Sequence, residues 1–277
     1  MILSDYHLHS DFSGDSETPM EDMVRHGISL GLERICFTDH IDYDYPICPD
    51  GTLFEFDADK YLTEIARLQK KYEGKIKIRK GLELGLKTSA IPKLNRLLDG
   101  RQFDFIIGSS HIVFDRDPYY PDYWENITVR EGLMKYFGSI LDNIKNFSDF
   151  DTYGHIDYIV RYIPDVKNKK APLSDFYSYA KYADILDAVL TAIIAAGKAI
   201  EVNTAGFKYG LGHPNPHEDV IKRYFELGGS FVTIGSDGHI PAHMAYDFEK
   251  ARHLLLSLGV KEYAVFENRQ PIMLPLL

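Results

Sequence analysis

Seven short apolar or β-branched runs recur along this chain, with helical patterns between them. The runs fall at 2–7, 34–38, 76–84, 103–107, 152–155, 199–203 and 230–234. Amphipathic stretches separate them. Residues 57–72 carry Tyr61, Ile65, Leu68 and Tyr72 on one stripe, the spacing of a helix that buries one face. Thr18-Pro19-Met20-Glu21 and Thr128 to Glu131 both read as helix starts, each with a Thr cap and a Glu three residues on. Further helices are expected over 174–196, 217–227 and 243–258, the last stopped by Gly259. Strands alternating with helices favour parallel strands joined by crossover helices. A closed barrel and an open sheet both satisfy that pattern.

No low-complexity segment or linker interrupts the alternation, and 277 residues with 45% hydrophobic content suit a packed α/β domain of barrel size. The formal charge of −10 argues against non-specific binding to nucleic acid or an anionic membrane. It does not exclude a small anionic ligand, because bound cations reverse the local field. Cys36 and Cys48 lack any CxxC partner and read as reduced thiols. The N-terminus has no basic region, and Asp5 interrupts its first apolar stretch, so no secretory signal is visible. The most apolar stretch, 188–202, contains Gly197, Lys198 and Glu201 and is too interrupted to span a bilayer. A cytoplasmic location is the expectation.

The metal-capable residues fall at corresponding places in this alternation. His7 and His9 end the first run, one residue apart, so they share a strand face. Asp15 follows in the next loop. His40 follows the second run, Glu83 ends the third, His111 follows the fourth and His155 ends the fifth. Asp237 and His239 follow the seventh, in Ser236-Asp237-Gly238-His239. Active sites of parallel barrels gather at the C-terminal strand ends, and six of the seven ends here carry His, Asp or Glu. The other histidines, His26, His213, His217, His243 and His253, fall on helices or loops. Each signal alone is modest; nine donors at matching positions point to a metal centre. Six imidazoles with three carboxylates suit Zn, Mn or Fe better than Ca or Mg.

The motifs His7-Leu8-His9, Thr38-Asp39-His40, Glu83 with His111, and Ser236-Asp237-Gly238-His239, with His155 as a further histidine, resemble the PHP superfamily. The resemblance runs from Asp5 to His239. Within it, Gly154-His155-Ile156-Asp157 with Arg161, Glu201-Val202-Asn203-Thr204-Ala205-Gly206 and Tyr246-Asp247-Phe248 are similar to the histidinol-phosphatase branch. That resemblance implies a distorted seven-stranded (β/α)7 TIM-like barrel, with 1–277 as one metallophosphatase domain. It implies three divalent ions per chain. One would take His7, His9, Glu83 and Asp237. A second would take Glu83, His111 and His155, and a third Asp15, His40 and His239. The implied reaction is hydrolysis of L-histidinol phosphate, within histidine biosynthesis, by a hydroxide bridging two of the ions.

Around those ligands, Arg161 is the candidate phosphate clamp, since its planar fork matches phosphate geometry. Lys208, after the sixth run, is a second candidate. Asn203 shares a strand face with Glu201 and is a candidate substrate contact, with Glu201 behind it as support for a ligand. His243 is a candidate proton donor to the leaving group. Tyr43, Tyr45, Tyr119, Tyr120 and Tyr123 are placed to shape a pocket. The expected partner is a small phosphate ester, with no nucleic acid or membrane; nothing in the sequence sets the oligomeric state. A phosphoprotein (phosphotyrosine) phosphatase of the same superfamily is the alternative. An amidohydrolase is disfavoured because His111 stands where that group normally offers a bridging Lys, and the chain ends soon after the seventh unit.

Overall fold

A computed structural model describes residues 1–46, 48 and 51–276. Its elements in order are β1 (Ser4–Leu8), α1 (Met20–Ser29), β2 (Arg34–Phe37), β3 (His40–Ile41), α2 (Ala58–Lys71), β4 (Lys77–Gly85), α3 (Ile91–Leu98), β5 (Phe105–Ser109), α4 (Val129–Asn146), β6 (Thr152–Tyr153), α5 (Pro164–Lys167), α6 (Ala183–Ala195), β7 (Ala199–Asn203), α7 (Ala205–Lys208), α8 (Glu218–Glu226), β8 (Val232–Gly235), α9 (Phe248–Ser257), β9 (Glu262–Glu267) and β10 (Gln270–Pro275). Strands β1, β2, β4, β5, β6, β7 and β8 pair in parallel in that order, and short β3 adds to β4. All seven expected strands are present, in an α/β barrel that is nearly closed.

Closure between β8 and β1 rests on few bonds. Leu8 bridges to Gly238, and His9 N donates to the Gly238 carbonyl at 3.0 Å. The buried carboxylate of Asp5 accepts from Ser236 N at 3.0 Å, Ser236 Oγ at 2.5 Å and Ala245 N at 2.8 Å. The residue that breaks the first apolar run is thus the clasp of the barrel.

The helices pack their apolar faces against the strands. In α2, Tyr61, Ile65 and Leu68 are fully buried, each contributing about 1.5–3 kcal/mol of burial if its side chain is otherwise exposed. Asp57 caps α2 through Asp59 N and Lys60 N, and Thr128 with Glu131 forms the expected capping box of α4.

Several expectations need correction. Thr18 does not cap α1; its hydroxyl donates to the His239 carbonyl at 2.9 Å, and the helix starts after Pro19. The expected 174–196 helix begins only at Ala183. Before it, separate turns let Tyr177 donate to buried Asp157 at 2.8 Å. The 243–258 helix begins at Phe248, because Ala245 and Asp247 adopt left-handed φ values of 51° and 52°. That turn brings Ala245 N to Asp5. The antiparallel β9–β10 hairpin was not foreseen. It covers the N-terminal end of the barrel: Tyr6 Oη donates to the Phe266 carbonyl at 3.1 Å, Asn268 N to Asp104 at 3.1 Å, and Arg269 Nε to Asp151 at 2.6 Å. The opposite, C-terminal end stays available for chemistry. Among the described residues, no helix is long and apolar enough to cross a membrane.

Candidate metal centre and its pocket

Strand ends place eight of the nine expected donors around one buried carboxylate or its neighbours. Glu83, fully buried on β4, has Oε2 3.1 Å from His7 Nε2, 3.6 Å from His9 Nε2 and 3.0 Å from His40 Nδ1. Its Oε1 lies 2.8 Å from His155 Nε2 and 3.3 Å from His111 Nε2. Asp237 adds a second carboxylate, with Oδ1 3.4 Å from His9 Nε2 and 3.9 Å from His7 Nε2. The half-exposed Asp15 completes the ninth position, 3.1 Å from His239 Nε2 and 3.8 Å from His40 Nε2.

The donor atoms form four overlapping trios, each within 4.8 Å: His9, His40 and His239; His7, His9 and Glu83; His7, His155 and Asp237; and His40, Glu83 and His111. Two features differ from the expected grouping. His40 turns Nδ1 to Glu83 and Nε2 to Asp15, so it stands between two groups rather than within one. Asp15 enters none of the four trios, and His9 takes its place beside His40 and His239.

The rings are oriented from behind. His7 Nδ1–H donates to Glu201 Oε1 at 2.5 Å, and His111 Nδ1–H to Asp42 Oδ1 at 2.7 Å. His9 Nδ1 lies 2.9 Å from Ser13 Oγ, and His239 Nδ1 lies 3.2 Å from the Asp237 carbonyl. An acceptor at Nδ1 sets the proton there and leaves the Nε2 lone pair inward, the arrangement of a metal-binding imidazole. Glu201 and Asp42 are also kept close by glycines. A Cβ on Gly235 would overlap that of His7 and come 2.7 Å from Glu201 Oε1, and one on Gly85 would overlap the Asp42 carboxylate.

The electrostatics match such a role. Burial raises the pKa of Glu83, but His7, His40 and His111 outweigh it and hold the group well below the usual carboxylate range. Burial likewise opposes ionisation of Asp237, and His7, His9 and His239 reverse it. Burial, then His239 and His40, hold His9 well below its ordinary value, so it is neutral. Burial also disfavours charge on His7, yet Glu201, Glu83 and Asp237 raise its pKa; a cation must displace its Nε2 proton. Among the described residues, His9 Nε2 and His40 Nδ1 are buried without a hydrogen-bond partner. Unpaired buried nitrogens facing carboxylates in a His-rich set fit a divalent metal.

The cluster floors a cavity of about 420 Å³. Arg161 and Lys208 stand in its wall. The Arg161 guanidinium stacks on Tyr209 at 4.2 Å and Tyr162 at 4.7 Å, and its buried Nε has no partner among the described residues. Lys208 Nζ donates to the Asp237 carbonyl at 3.1 Å, and burial lowers its pKa. Tyr45, Tyr119 and Tyr120 line the cavity, as does Asp117, which accepts a short hydrogen bond from Tyr45 Oη. Tyr43 lies elsewhere, beside Lys93, and Tyr123 is buried with its hydroxyl on the Gly132 carbonyl.

Asn203 corrects the sequence reading. It is fully buried behind the site, not on the cavity wall: Nδ2 donates to Glu201 and Asp237 at 3.2 and 3.4 Å, and Oδ1 accepts from Ala205 N at 2.9 Å. Both of its amide N–H donors are spent on these carboxylates. His243 lines the cavity, where burial, Lys208 and His239 lower its pKa and so disfavour the protonated form that a proton donor needs. Ser13 and Asp42 were missed. Asp42 carried a faint signal, two residues beyond His40; Ser13 carried none.

The PHP domain family matches residues 5–205. The chain is 34% identical to the histidinol-phosphatase of Lactococcus lactis subsp. lactis (strain IL1403), over 95% of this chain and 94% of that one. It is 32% identical to a probable histidinol-phosphatase of Clostridium acetobutylicum, over 97% and 98%. The solved structure of the Lactococcus lactis histidinol phosphate phosphatase, complexed with zinc, L-histidinol and phosphate, superposes with a TM-score of 0.85 at 32% identity, covering 98% of this chain and 99% of that one.

Proposed function

The chain belongs to the PHP domain family, among its histidinol-phosphatases, and we propose that it hydrolyses L-histidinol phosphate to L-histidinol and phosphate as a metal-dependent phosphomonoesterase. The observation that carries this is the convergence of five imidazoles on Glu83 beneath a cavity walled by Arg161 and Lys208. We take the whole span, 1–277, as one catalytic unit holding three divalent ions, Zn, Mn or Fe. His7, His9, Glu83 and Asp237 would hold one, Glu83, His111 and His155 a second, and Asp15, His40 and His239 a third. His40 and His9 each belong to two of the donor trios, so either would be within reach of a neighbouring ion. Bound divalent ions supply an acidified water and neutralise charge on phosphate oxygens.

The chain's own residues do the rest. The fork of Arg161, held flat by Tyr209 and Tyr162, takes phosphate oxygens in a bidentate manner. Lys208 adds a point charge beside Asp237. Glu201 and Asp42 keep His7 and His111 in the tautomer that presents Nε2. The tyrosines of the cavity exclude water around the alcohol portion.

The test is phosphate release from histidinol phosphate, a phosphotyrosine peptide and a nucleotide, compared by kcat/KM with Mn, Zn or Fe supplied, together with metal analysis. Histidinol phosphate is expected to be preferred, and more than one divalent ion per chain to be retained. Preference for the phosphotyrosine peptide would transfer the assignment to a phosphoprotein phosphatase. Full activity in metal-free protein would refute the mechanism.

A further inference from the structure

The loop 10–18, between β1 and α1, contributes more than the carboxylate of Asp15. Its hydroxyls reach donor-bearing segments on three other parts of the barrel. Ser16 Oγ and Thr18 Oγ1 both donate to the His239 carbonyl, at 2.8 and 2.9 Å. Ser13, only 2% exposed, makes three contacts through one oxygen. Its Oγ donates to Asp39 Oδ1 at 3.0 Å, accepts from His40 N at 3.0 Å, and lies 2.9 Å from His9 Nδ1.

A hydroxyl offers one donor and two acceptor sites. The main-chain nitrogen of His40 can only donate. Asp39 Oδ1 also accepts from Ser10 N at 2.6 Å, Ser10 Oγ at 2.9 Å and Ser13 N at 3.1 Å, so it acts as an acceptor toward Ser13. Of the two acceptors within reach of the single Ser13 proton, the carboxylate oxygen of Asp39 is stronger than a neutral imidazole nitrogen, so the proton goes to Asp39 and both lone pairs of Ser13 receive protons. His9 must then carry its proton on Nδ1. That leaves the Nε2 lone pair facing Asp237 at 3.4 Å and Glu83 at 3.6 Å. The same oxygen fixes the main chain of His40, whose ring stacks 4.3 Å from that of His9.

We propose that Ser13 is a positioning residue of the metal centre, which sets the tautomer of His9 and the main-chain position of His40 so that each presents its ring to a cation of the centre. The inference rests on the reading of this centre as a binder of divalent ions. Ser13→Ala removes an acceptor that two buried donors share, one of them the ring whose tautomer is at stake. Ser10→Ala is the control: it removes another hydroxyl on the same Asp39 oxygen, in the same loop, that touches no histidine.

Chelator-stripped wild type, S13A and S10A are dialysed against Zn²⁺ or Mn²⁺, and bound metal is counted. S13A is expected to bind the equivalents that use His9 and His40 about 10- to 100-fold more weakly, with S10A like wild type. Independently, ¹⁵N-histidine spectra of metal-free wild type, with His9 assigned by its loss in H9Q, should show the Nδ1–H tautomer. That measurement needs no folded S13A. An Nε2–H tautomer in wild type, metal binding in S13A equal to wild type, or the same loss in S10A overturns the proposal. A wild type that takes up no cation overturns the metal reading and this inference together; retained binding in S13A beside a metal-loaded wild type overturns this inference alone.

Discussion

Glu201→Gln is the sharpest perturbation the site allows, because it changes almost no volume and removes one acceptor. Both oxygens of Glu201 accept from N–H groups in a site only 1% exposed: Oε1 from His7 Nδ1 at 2.5 Å, Oε2 from the main-chain N of His155 at 2.9 Å. Oε2 also takes Asn203 Nδ2 at 3.2 Å. A glutamine offers one oxygen and one NH₂. If its oxygen faces His7, the NH₂ opposes the His155 N–H, and a buried donor is left unpaired at about 1–3 kcal/mol. If its oxygen faces His155, the NH₂ faces His7 Nδ1, which must become an acceptor. The proton then moves to Nε2, the atom directed at Glu83 and Asp237, where a cation would sit. Either orientation costs stability or metal affinity. The expected outcome is a loss of about 1–3 kcal/mol in denaturant unfolding of the metal-free protein, or a 10- to 100-fold weaker uptake of one ion, with kcat falling in proportion to the metal lost. E201Q with both unfolding free energy and metal affinity within about 0.5 kcal/mol of wild type would refute the argument that Glu201 acts by accepting two hydrogen bonds.

Arg161→Ala should raise KM for the phosphate ester and lower kcat/KM by about 10- to 100-fold, the loss of charge-assisted hydrogen bonds, while metal content measured on the same sample is unchanged; an unchanged KM removes Arg161 from phosphate binding. Arg269→Ala, at the far end of the barrel, should destabilise by about 1–3 kcal/mol at neutral pH, since it strips the buried Asp151 of its 2.6 Å partner. Burial raises the pKa of Asp151 even with Arg269 opposing it. A carboxyl raised in the folded state contributes stability below its unfolded pKa and loses it as pH rises through the folded value. Without Arg269 that folded value rises further. The deficit of R269A is therefore largest at neutral pH and should shrink toward pH about 4; a penalty independent of pH in urea unfolding would count against the pairing.

The barrel was legible because its signals are local and repeated. Each strand is a short apolar run bounded by polar residues, and the seven runs lie within two residues of the observed starts and ends. What the sequence left open, a barrel or an open sheet, depends on whether β8 meets β1, and that meeting is made by Asp5 across 231 residues of sequence. No local pattern announces it. The same clasp explains the misplaced start of the last helix: the chain must turn through Ala245 and Asp247 to bring Ala245 N to Asp5 before helix can resume. Thr18 failed as a cap because tertiary structure offered its hydroxyl the His239 carbonyl. The β9–β10 hairpin did have a signal, the run Tyr263 to Phe266 followed by Asn268-Arg269, both left-handed at φ 50° and 63°, a two-residue turn favoured by Asn.

The inward donors were legible for a related reason: strand ends in a parallel barrel all face one way, so sequence position maps onto space. The acceptors behind them follow no such rule. Glu201 reaches His7 from the other side of the closing seam, Asp42 reaches His111 from just after the short strand β3, and Ser13 reaches His9 from within an irregular loop. Yet two of the three left a trace. Gly85 lies two residues after Glu83, and Gly235 two before Asp237, and each is the position where a side chain would displace an orienting carboxylate, Asp42 in one case and Glu201 in the other. In this barrel a glycine two residues from a strand-end donor thus marks space taken by the carboxylate that fixes a neighbouring ring. Ser13 has no such glycine against it, which is why only the full hydrogen-bond inventory around Asp39 reveals its part in holding His9 and His40.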